Sequence, residues 1–312
     1  MKTIQKALCV VTLGGTALAG FAQAPIVRQP PTPPNYDPSQ TYPPQNQSYP
    51  PPAQGQYAPP ADASQGPPPP VLQPQQLDQL VARIALYPDP LLAQALTAAT
   101  YPDEIADAAT WADQHSSLTG DALGQAIQGD NLPWDPSVLA LLPFPSVLDM
   151  MAQDPSWTQQ LGDAVLAQRQ DVMDAVQRQR QQAQRYGYLT SNEYDNVTTD
   201  NGYIEIMPLN PTLLYVPAYD PRVVFYAPRP GFVVGGAIRF GPAITIGTTF
   251  GRFGWFGAGF GWYNHAIFVD RRPWNRTWVN RREYVHPYVR PYARPVSPRV
   301  EMHRGEHFEH RR

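Results

Sequence analysis

The chain has 312 residues, and its 23 basic and 26 acidic side chains give a net charge of −3. Proline accounts for 38 residues, about 12% against roughly 5% in an average protein, so part of the chain cannot form helix or central sheet. The aromatic fraction of 11% is nevertheless too high for a chain that is disordered throughout. The only lysines are Lys2 and Lys6, so a chain that loses its N-terminus has no lysine for Schiff-base or P-loop chemistry.

The nearly balanced charge hides a separation along the chain. Residues 71–200 carry 17 acidic and 5 basic side chains, a net charge of −12, whereas residues 201–312 carry 7 acidic and 15 basic side chains, a net charge of +8. The charge of each segment therefore says more about partners than the total does. It also raises the question of whether the basic part binds the acidic part.

Residues 1–24 have the composition of a secretory signal peptide. Lys2 and Lys6 precede an uncharged run of small and apolar residues, and Ala22-Gln23-Ala24 fits the cleavage pattern. Cleavage a few residues earlier and a retained membrane anchor are the alternatives. We expect export to the periplasm or cell envelope. Cleavage would remove Cys9, the single cysteine, and with it disulfides, thiol catalysis and cysteine-ligated zinc.

Residues 25–76 are predicted to form a disordered, proline-rich spacer. They contain 18 prolines, and no apolar pattern recurs there that would build a core. Runs of proline favour the extended polyproline II conformation. The segment is interpreted either as a linker with no length requirement or as an arm that holds the folded part away from a surface.

Residues 77–187 are predicted to form a compact helical domain of about five helices. Apolar side chains recur at helical spacing, and Tyr-Pro-Asp turns separate the first segments. Asp103 is predicted to cap the third helix. Asp135-Pro136 and Asp154-Pro155 each place a capping carboxylate before a proline that suits the first helical position.

The longest helix is predicted from about residue 155 to residue 186, with Gly187 as its stop. Its apolar positions end at Val176. The following stretch, residues 177–182, alternates glutamine with arginine and is predicted to face solvent.

Several motifs recur at wide spacing along the helical and β-rich parts of the chain. They are Leu86 to Leu92, Thr100-Tyr101-Pro102, Trp111, Trp134 to Val138, Phe144-Pro145, Trp157 to Gly162 and Tyr215 to Pro221. Together they resemble a bacterial envelope family known as domain-of-unknown-function family number 3300. The resemblance covers about residues 72–226 and implies export and membrane association, but no activity and no catalytic residue. Its relatives are expected to carry a long hydrophobic segment, which Arg239 and Arg252 interrupt here.

Residues 188–230 are predicted to form a small antiparallel β region packed on the long helix. Asn201-Gly202 suits a type I′ turn, so residues 197–206 are predicted to form a hairpin. Residues 213–216 and 223–226 are predicted as third and fourth strands. The fold class that follows is α+β and mostly α.

Residues 231–262 form a segment rich in glycine and aromatic residues, with 10 glycines among 32 positions. Only 12 residues separate its two arginines, fewer than the roughly 20 that a membrane-spanning helix needs. Three interpretations remain open: a glycine-rich β extension, a membrane-interfacial segment with aromatic anchors, or a disordered segment.

Residues 263–312 form a basic tail in which arginine alternates with tryptophan and tyrosine. Arginine pairs with phosphate and carboxylate, so the tail is predicted to contact an anionic envelope component such as a lipid headgroup, lipopolysaccharide or a wall polymer. A disordered solubilising tail is the alternative, and nucleic acid is not an expected partner. The candidate residues are Arg271, Arg272, Arg276, Arg281, Arg282, Arg290 and Arg294.

His303, His307 and His310 would share one face of a helix and could hold zinc or copper there. Gly305 and the polar surroundings disfavour that helix. A histidine-rich terminus without a metal is the preferred interpretation, and no cofactor is expected.

The sequence contains no HExxH, GxSxG or Walker motif. His115 is interpreted as a solvent-exposed loop histidine. We therefore expect an exported, non-enzymatic envelope protein with a binding or structural role. The alternatives are a membrane-associated protein inserted through residues 231–262 and, less favoured, a cell-wall hydrolase.

Overall fold

The computed structural model describes residues 67–228 and 235–286. The predicted signal peptide, residues 25–66 of the predicted spacer and residues 287–312 of the predicted tail lie outside the described residues.

The described residues confirm the predicted fold class, a mostly helical α+β structure with small antiparallel sheets. The helical part contains more and shorter helices than the five predicted. The α-helices of the described residues are α1 (Pro74–Val81), α2 (Asp89–Ala98), α3 (Pro102–Gln114), α4 (Gly120–Gly129), α5 (Pro136–Leu139), α6 (Pro145–Gln153), α7 (Pro155–Ala167), α8 (Arg169–Arg185) and α9 (Pro221–Val224).

The strands form small antiparallel sheets in which β1 pairs with β2, β3 with β6, β4 with β5, and β7, β8 and β9 pair in order. Short 3₁₀-helices cover Thr248–Phe253 and Trp262–Asn264. The strands are β1 (Asp195–Asp200), β2 (Tyr203–Pro208), β3 (Leu213–Leu214), β4 (Pro217–Tyr219), β5 (Ile238–Phe240), β6 (Ile244–Thr245), β7 (Gly259–Gly261), β8 (Ala266–Val269) and β9 (Arg272–Pro273).

Local capping chemistry starts several of the helices. The Asp135 carboxylate accepts from the backbone N–H of Ser137 at the start of α5, and the Asp154 carboxylate accepts from the N–H of Trp157 at the start of α7. Both predicted caps are therefore confirmed. The predicted cap by Asp103 is wrong, because α3 begins at Pro102 and Asp103 already lies in its first turn.

The predicted long helix is two helices, α7 and α8, separated at Gln168. The Gln168 backbone leaves the helical region, with φ −142° and ψ 50°. Its side-chain amide contacts both backbone polar groups of Leu72, at 2.8 Å from the N–H and 3.2 Å from the carbonyl oxygen. A long-range contact thus accompanies a break that the apolar periodicity does not reveal. The stop at Gly187 is confirmed, with a positive φ of 77°.

The hairpin β1–β2 is confirmed with its predicted turn. Asn201 and Gly202 have φ of 49° and 86°, the left-handed values that a type I′ turn requires. Ile204 and Ile206 of β2 are buried against α8 and α2. The hairpin therefore packs on the last long helix, as the sequence predicts.

The predicted fourth strand at residues 223–226 is wrong. The chain forms α9 there, because the Asp220 carboxylate accepts from the backbone N–H of Arg222 and Pro221 occupies the first helical position. This is the same Asp-Pro start that the sequence marks correctly at Asp135 and Asp154. Its β-branched residues favour a strand, and the local cap outweighs them.

The glycine- and aromatic-rich segment belongs to the core of the protein in its described part. Phe250, Phe253, Trp255 and Trp262 are buried, and the Trp255 ring stacks on Phe144 at 5.1 Å. The segment supplies β5, β6 and β7, in line with the β-extension interpretation. Within the described residues, no helix has both the length and the apolar character needed to cross a bilayer.

Candidate functional site

A cavity of about 660 Å³ lies between the helical part and the β-rich part of the described chain. The C-terminal end of α3 and the starts of α4 and α6 form one wall, and β4 and the segment leading into β6 form the other. This volume falls within the roughly 300–1,000 Å³ that is usual for small-molecule sites. The cavity is therefore the candidate ligand site.

The cavity wall is mostly apolar and contains many prolines. Its apolar and proline residues include Leu118, Leu123, Leu142, Pro143, Pro145, Met150, Val216, Pro217, Pro221, Pro242 and Ile244. Proline has a fixed φ, and two of these prolines begin α6 and α9. A wall held in this way loses little conformational freedom when a ligand enters.

Two tyrosine hydroxyls border the cavity. The hydroxyl of Tyr87 donates to the sulfur of Met150 at 3.8 Å, and the hydroxyl of Tyr219 accepts from the backbone N–H of Leu86 at 3.2 Å. Burial raises the pKa of both phenols, so both stay neutral at physiological pH. They can act as hydrogen-bonding groups towards a ligand.

His115 lies in the cavity wall at the end of α3, not in a free loop as the sequence indicated. Its ring stacks on Trp111 with centroids 3.9 Å apart, and its Nδ1 lies 2.8 Å from the Trp111 carbonyl oxygen. Its Nε2 is 3.8 Å from the Asp130 carboxylate. These contacts fix the orientation of the imidazole beside the cavity.

Arg83 contributes a guanidinium to the described wall. It pairs with Asp154 at 3.0 Å, and 43% of its side chain is exposed. Neither Asp nor Glu is among the described residues that line the cavity. The lining therefore favours a neutral or anionic polar group over a cationic one.

A buried polar network joins α2, α8, β2 and the segment that contains Trp262. The guanidinium of Arg180 in α8 pairs with Asp89 in α2 at 2.6 Å and donates to the carbonyl oxygens of Ala85 and Ile204. The indole N–H of Trp262 donates to the same Asp89 carboxylate at 3.0 Å. Burial raises the pKa of Asp89, and the guanidinium and indole N–H oppose that rise.

The prediction that residues 177–182 face solvent is wrong for Gln177 and Arg180, which are both buried. The Gln177 side chain exchanges hydrogen bonds with the backbone of Ile204, at 2.8 Å from its N–H and 3.0 Å from its carbonyl oxygen. These residues lie three positions apart, so they share one helical face that binds the edge of β2.

The basic tail is part of the fold up to residue 286. Arg276, predicted to contact an anionic surface, is buried: its guanidinium donates to the carbonyl oxygen of Thr100 at 2.6 Å and lies 3.7 Å from the ring centroid of Tyr101. Trp274 is also buried, under the guanidinium of Arg169. Arg276 is therefore unavailable to an external partner in this structure.

The other predicted tail residues fall into two groups. Arg271, Arg272 and Arg282 are exposed, and Arg281 is half-buried over the ring of Trp278. Arg290, Arg294 and the three candidate metal ligands His303, His307 and His310 lie outside the described residues. Within the described residues, no group of three or more His, Cys, Asp or Glu side chains could hold a metal ion.

His286 links the basic tail to the acidic helical part. Its Nε2 lies 2.9 Å from the Asp135 carboxylate, and both side chains are buried. Burial would raise the pKa of Asp135, but the contacts with His286 and the hydrogen bonds from Ser137 hold that pKa below its usual value. The described part of the tail thus binds the acidic part of the same chain.

Sequence reasoning missed the cavity, although some of its residues stood in recognised motifs. Tyr87, Pro145 and the segment Val216–Tyr219 all belong to motifs that carry the family resemblance. These motifs are far apart in the chain, so their meeting at one wall depends on the tertiary fold. Their proline and tyrosine content was the available signal.

Comparison with known proteins extends the resemblance. The family described as "Protein of unknown function (DUF3300)" matches residues 73–307. A relative, the uncharacterized protein YacH of Escherichia coli strain K12, is 37% identical, and the match covers 57% of this chain and 36% of the relative. The chain therefore matches only about a third of the length of that relative. No solved structure matches the chain significantly.

Proposed function

The chain belongs to DUF3300, a family of proteins of unknown function, and we propose that it is an exported, non-enzymatic envelope protein that binds an amphipathic ligand. The ligand occupies the cavity between the helical and β-rich parts. The observation that carries this proposal is the cavity itself, with about 660 Å³ and a mostly apolar wall. Export is supported by the signal-like composition of residues 1–24.

The character of the wall indicates the ligand class. Apolar side chains and prolines favour a long apolar chain, since burial of apolar surface is the main driving force for binding. Arg83 supplies positive charge, and the described lining lacks carboxylates. A ligand whose polar end is a carboxylate or another anionic group therefore suits this lining better than one with a cationic end.

Isothermal titration calorimetry of the full-length protein with octanoate tests this function. We expect saturable binding with one site per chain. Ala218→Trp adds bulk at an exposed position in the cavity wall and is expected to weaken binding at least tenfold. Ala106→Trp, at an exposed position of α3 away from the cavity, is the matched control and should bind like the wild type.

Equal octanoate affinity in the wild type and Ala218→Trp would exclude the cavity as the site. Binding that never saturates would indicate nonspecific adsorption and would also overturn the proposal. N-terminal sequencing of protein recovered from the cell envelope tests export separately, because a processed chain should begin near residue 25.

A second role rests on the exposed arginines. Arg271, Arg272 and Arg282 lie on the outside of the folded tail. We propose that they contact an anionic envelope component, namely a lipid headgroup, lipopolysaccharide or a wall polymer. Such contacts weaken as salt rises.

Substitution tests this role better than deletion, because deletion of residues 271–312 would also remove the buried Trp274 and Arg276. The triple change of Arg271, Arg272 and Arg282 to Gln should reduce cosedimentation with phosphatidylglycerol vesicles at low salt. The control triple, Arg185, Arg222 and Arg239 to Gln, removes the same charge from other exposed positions. If both triple variants lose the same amount of cosedimentation, the loss follows from net charge alone. That result would contradict a specific binding surface at Arg271, Arg272 and Arg282.

A further inference from the structure

The inner face of the hairpin β1–β2 carries an acidic residue where an apolar one is expected. Asp195 and Val197 lie two positions apart on β1, and the strand register puts them on the same face of the hairpin as the buried Ile204 and Ile206 of β2. Asp195 is only 3% exposed. A carboxylate at an inward-facing strand position breaks the pattern that specifies the sheet, and such breaks mark functional positions.

The Asp195 carboxylate has no structural partner in the described part of the chain. Its Oδ1 is buried without a hydrogen bond. The adjacent turn is held by Asn192 instead: the Asn192 side chain accepts from the Asp195 N–H at 2.9 Å, and the Asn192 N–H donates to the Asp195 carbonyl oxygen at 3.0 Å. The backbone is therefore fixed without help from the carboxylate. Burial raises the pKa of Asp195 to about 7.

Asp195 lines a second cavity of about 230 Å³ under the hairpin. Leu86, Leu189, Ile206 and Phe240 contribute apolar surface to it. Its described lining contains no Arg, Lys or His, and Tyr188 is the other titratable side chain there. A cation that neutralises the carboxylate must therefore come from outside this lining.

We propose that this second cavity binds a small alkylammonium cation, with its ammonium group on Asp195 and its alkyl chain against the apolar lining. An ammonium has three donors and no acceptor, which suits a buried carboxylate that accepts no hydrogen bond at Oδ1. A charge-assisted hydrogen bond inside the fold is stronger than one between neutral groups. The described lining of this site shares only Pro217 with that of the larger cavity, where the charged side chain is that of Arg83.

Titration of the full-length protein with n-butylammonium tests the proposal, with n-butanol as the neutral probe of the same size. We expect saturable binding of n-butylammonium and at least tenfold weaker binding of n-butanol. Asp195→Asn keeps the shape of the side chain and should weaken n-butylammonium binding at least tenfold. Asp200→Asn makes the same chemical change at an exposed position of the same strand and should leave binding unchanged.

Equal affinity for the two probes, or unchanged n-butylammonium binding in Asp195→Asn, would overturn the proposal. If Asp195→Asn fails to fold, carbon NMR of the wild-type carboxyl replaces it. Saturation with n-butylammonium at pH 6 should shift the Asp195 carboxyl signal to the ionised position, and an unmoved signal counts against the site. A lysine blocked at its α-amino and α-carboxyl groups mimics a lysine side chain of a protein. If it binds more tightly than n-butylammonium, the ligand is a protein side chain and the proposal of a free small amine is overturned.

Octanoate and n-butylammonium separate the two cavities. Asp195→Asn should not change octanoate affinity, and Ala218→Trp should not change n-butylammonium affinity. Either proposal can therefore fail without the other.

Discussion

The guanidinium of Arg180 and the carboxylate of Asp89 lie 2.6 Å apart, and neither side chain is more than 4% exposed. Arg180 also binds the carbonyl oxygens of Tyr87 and Ile204, and Asp89 accepts from the indole of Trp262. One buried ion pair thus joins α2, α8, the hairpin and the aromatic-rich segment. Of the partners in this network, Tyr87 also lines the larger cavity.

Removing one partner of this pair is expected to destabilise the protein strongly. Asp89→Asn should lower the free energy of unfolding by about 3–5 kcal/mol, because Arg180 would remain buried without a counter-ion. Asp78→Asn is the control, since Asp78 of α1 forms a partly exposed ion pair at 2.7 Å with Arg178, which lies in α8 like Arg180. It should cost no more than about 1 kcal/mol. Urea denaturation measures both, and similar losses would contradict the special role of the buried pair.

Gly162 sets how closely α7 approaches the end of α2. A Cβ at Gly162 would overlap the carbonyl group of Ala99, which is backbone and cannot swing away. Gly162→Ala should therefore destabilise the protein by roughly 1–3 kcal/mol. Gly129→Ala, at a helical position with no atom within 4 Å of the added Cβ, should be neutral or stabilise by up to about 1 kcal/mol. A stabilised Gly162→Ala variant would show that the two helices can separate without cost.

The buried contact between His286 and Asp135 predicts a pH-dependent stability. The pKa of Asp135 is held low in the folded protein, so its stabilising effect is present above the ordinary Asp pKa of about 4 and is lost as the pH falls below it. His286→Asn should cost roughly 1–3 kcal/mol at pH 7, and the difference from the wild type should shrink in acid.

His265→Asn provides the control for that experiment. His265 also pairs with a carboxylate, Asp174 at 2.9 Å, but the pair is partly exposed. Asparagine tolerates the positive φ of 52° at this position. Urea midpoints at pH 3, 5 and 7 should show a smaller and flatter effect for His265→Asn. An effect of His286→Asn that is the same at every pH would rule out the linkage to Asp135.

Asp195 predicts the opposite pH dependence. Its pKa is raised to about 7 in the folded protein, so the folded state binds a proton that the unfolded state releases near pH 4. The wild type should therefore lose stability as the pH rises from about 4 to about 7. Asp195→Asn lacks the titrating carboxyl and therefore does not show this loss. The free energy of unfolding of Asp195→Asn minus that of the wild type should therefore be larger at pH 8 than at pH 5. Urea denaturation at the two pH values checks this, and a constant difference would contradict a raised pKa.

Local chemistry explains what could be predicted along the chain. The Asp-Pro starts of α5 and α7, the turn at Asn201-Gly202 and the stop at Gly187 each depend on a few adjacent residues. Asp220-Pro221 carried the same signal, yet the β-branched residues after it favoured a strand. In the folded chain the local cap at Asp220 outweighs that strand propensity.

The candidate sites depend on contacts between distant segments, which a single sequence does not display. The helix break at Gln168 coincides with a contact to Leu72, which lies 96 positions away. Gln177 and Arg180 are buried because they form a hydrogen bond with Ile204 of β2 and an ion pair with Asp89 of α2. Arg276 looked like a surface residue because arginine is usually exposed. Its burial required Thr100 and Tyr101 to meet it from a different part of the chain.

The sequence by itself determined the fold class, the family and several local features, namely the Asp-Pro starts of α5 and α7, the hairpin turn at Asn201-Gly202 and the stop at Gly187, because capping and turn chemistry act over a few residues. Tertiary structure alone decided which charges are buried and where the two cavities lie. Burial and pairing depend on long-range packing, which brings Asp89 to Arg180, Asp135 to His286 and the motif residues to one cavity wall. The environment of Asp195, and with it the raised pKa and the proposed cation site, exists only in the folded chain.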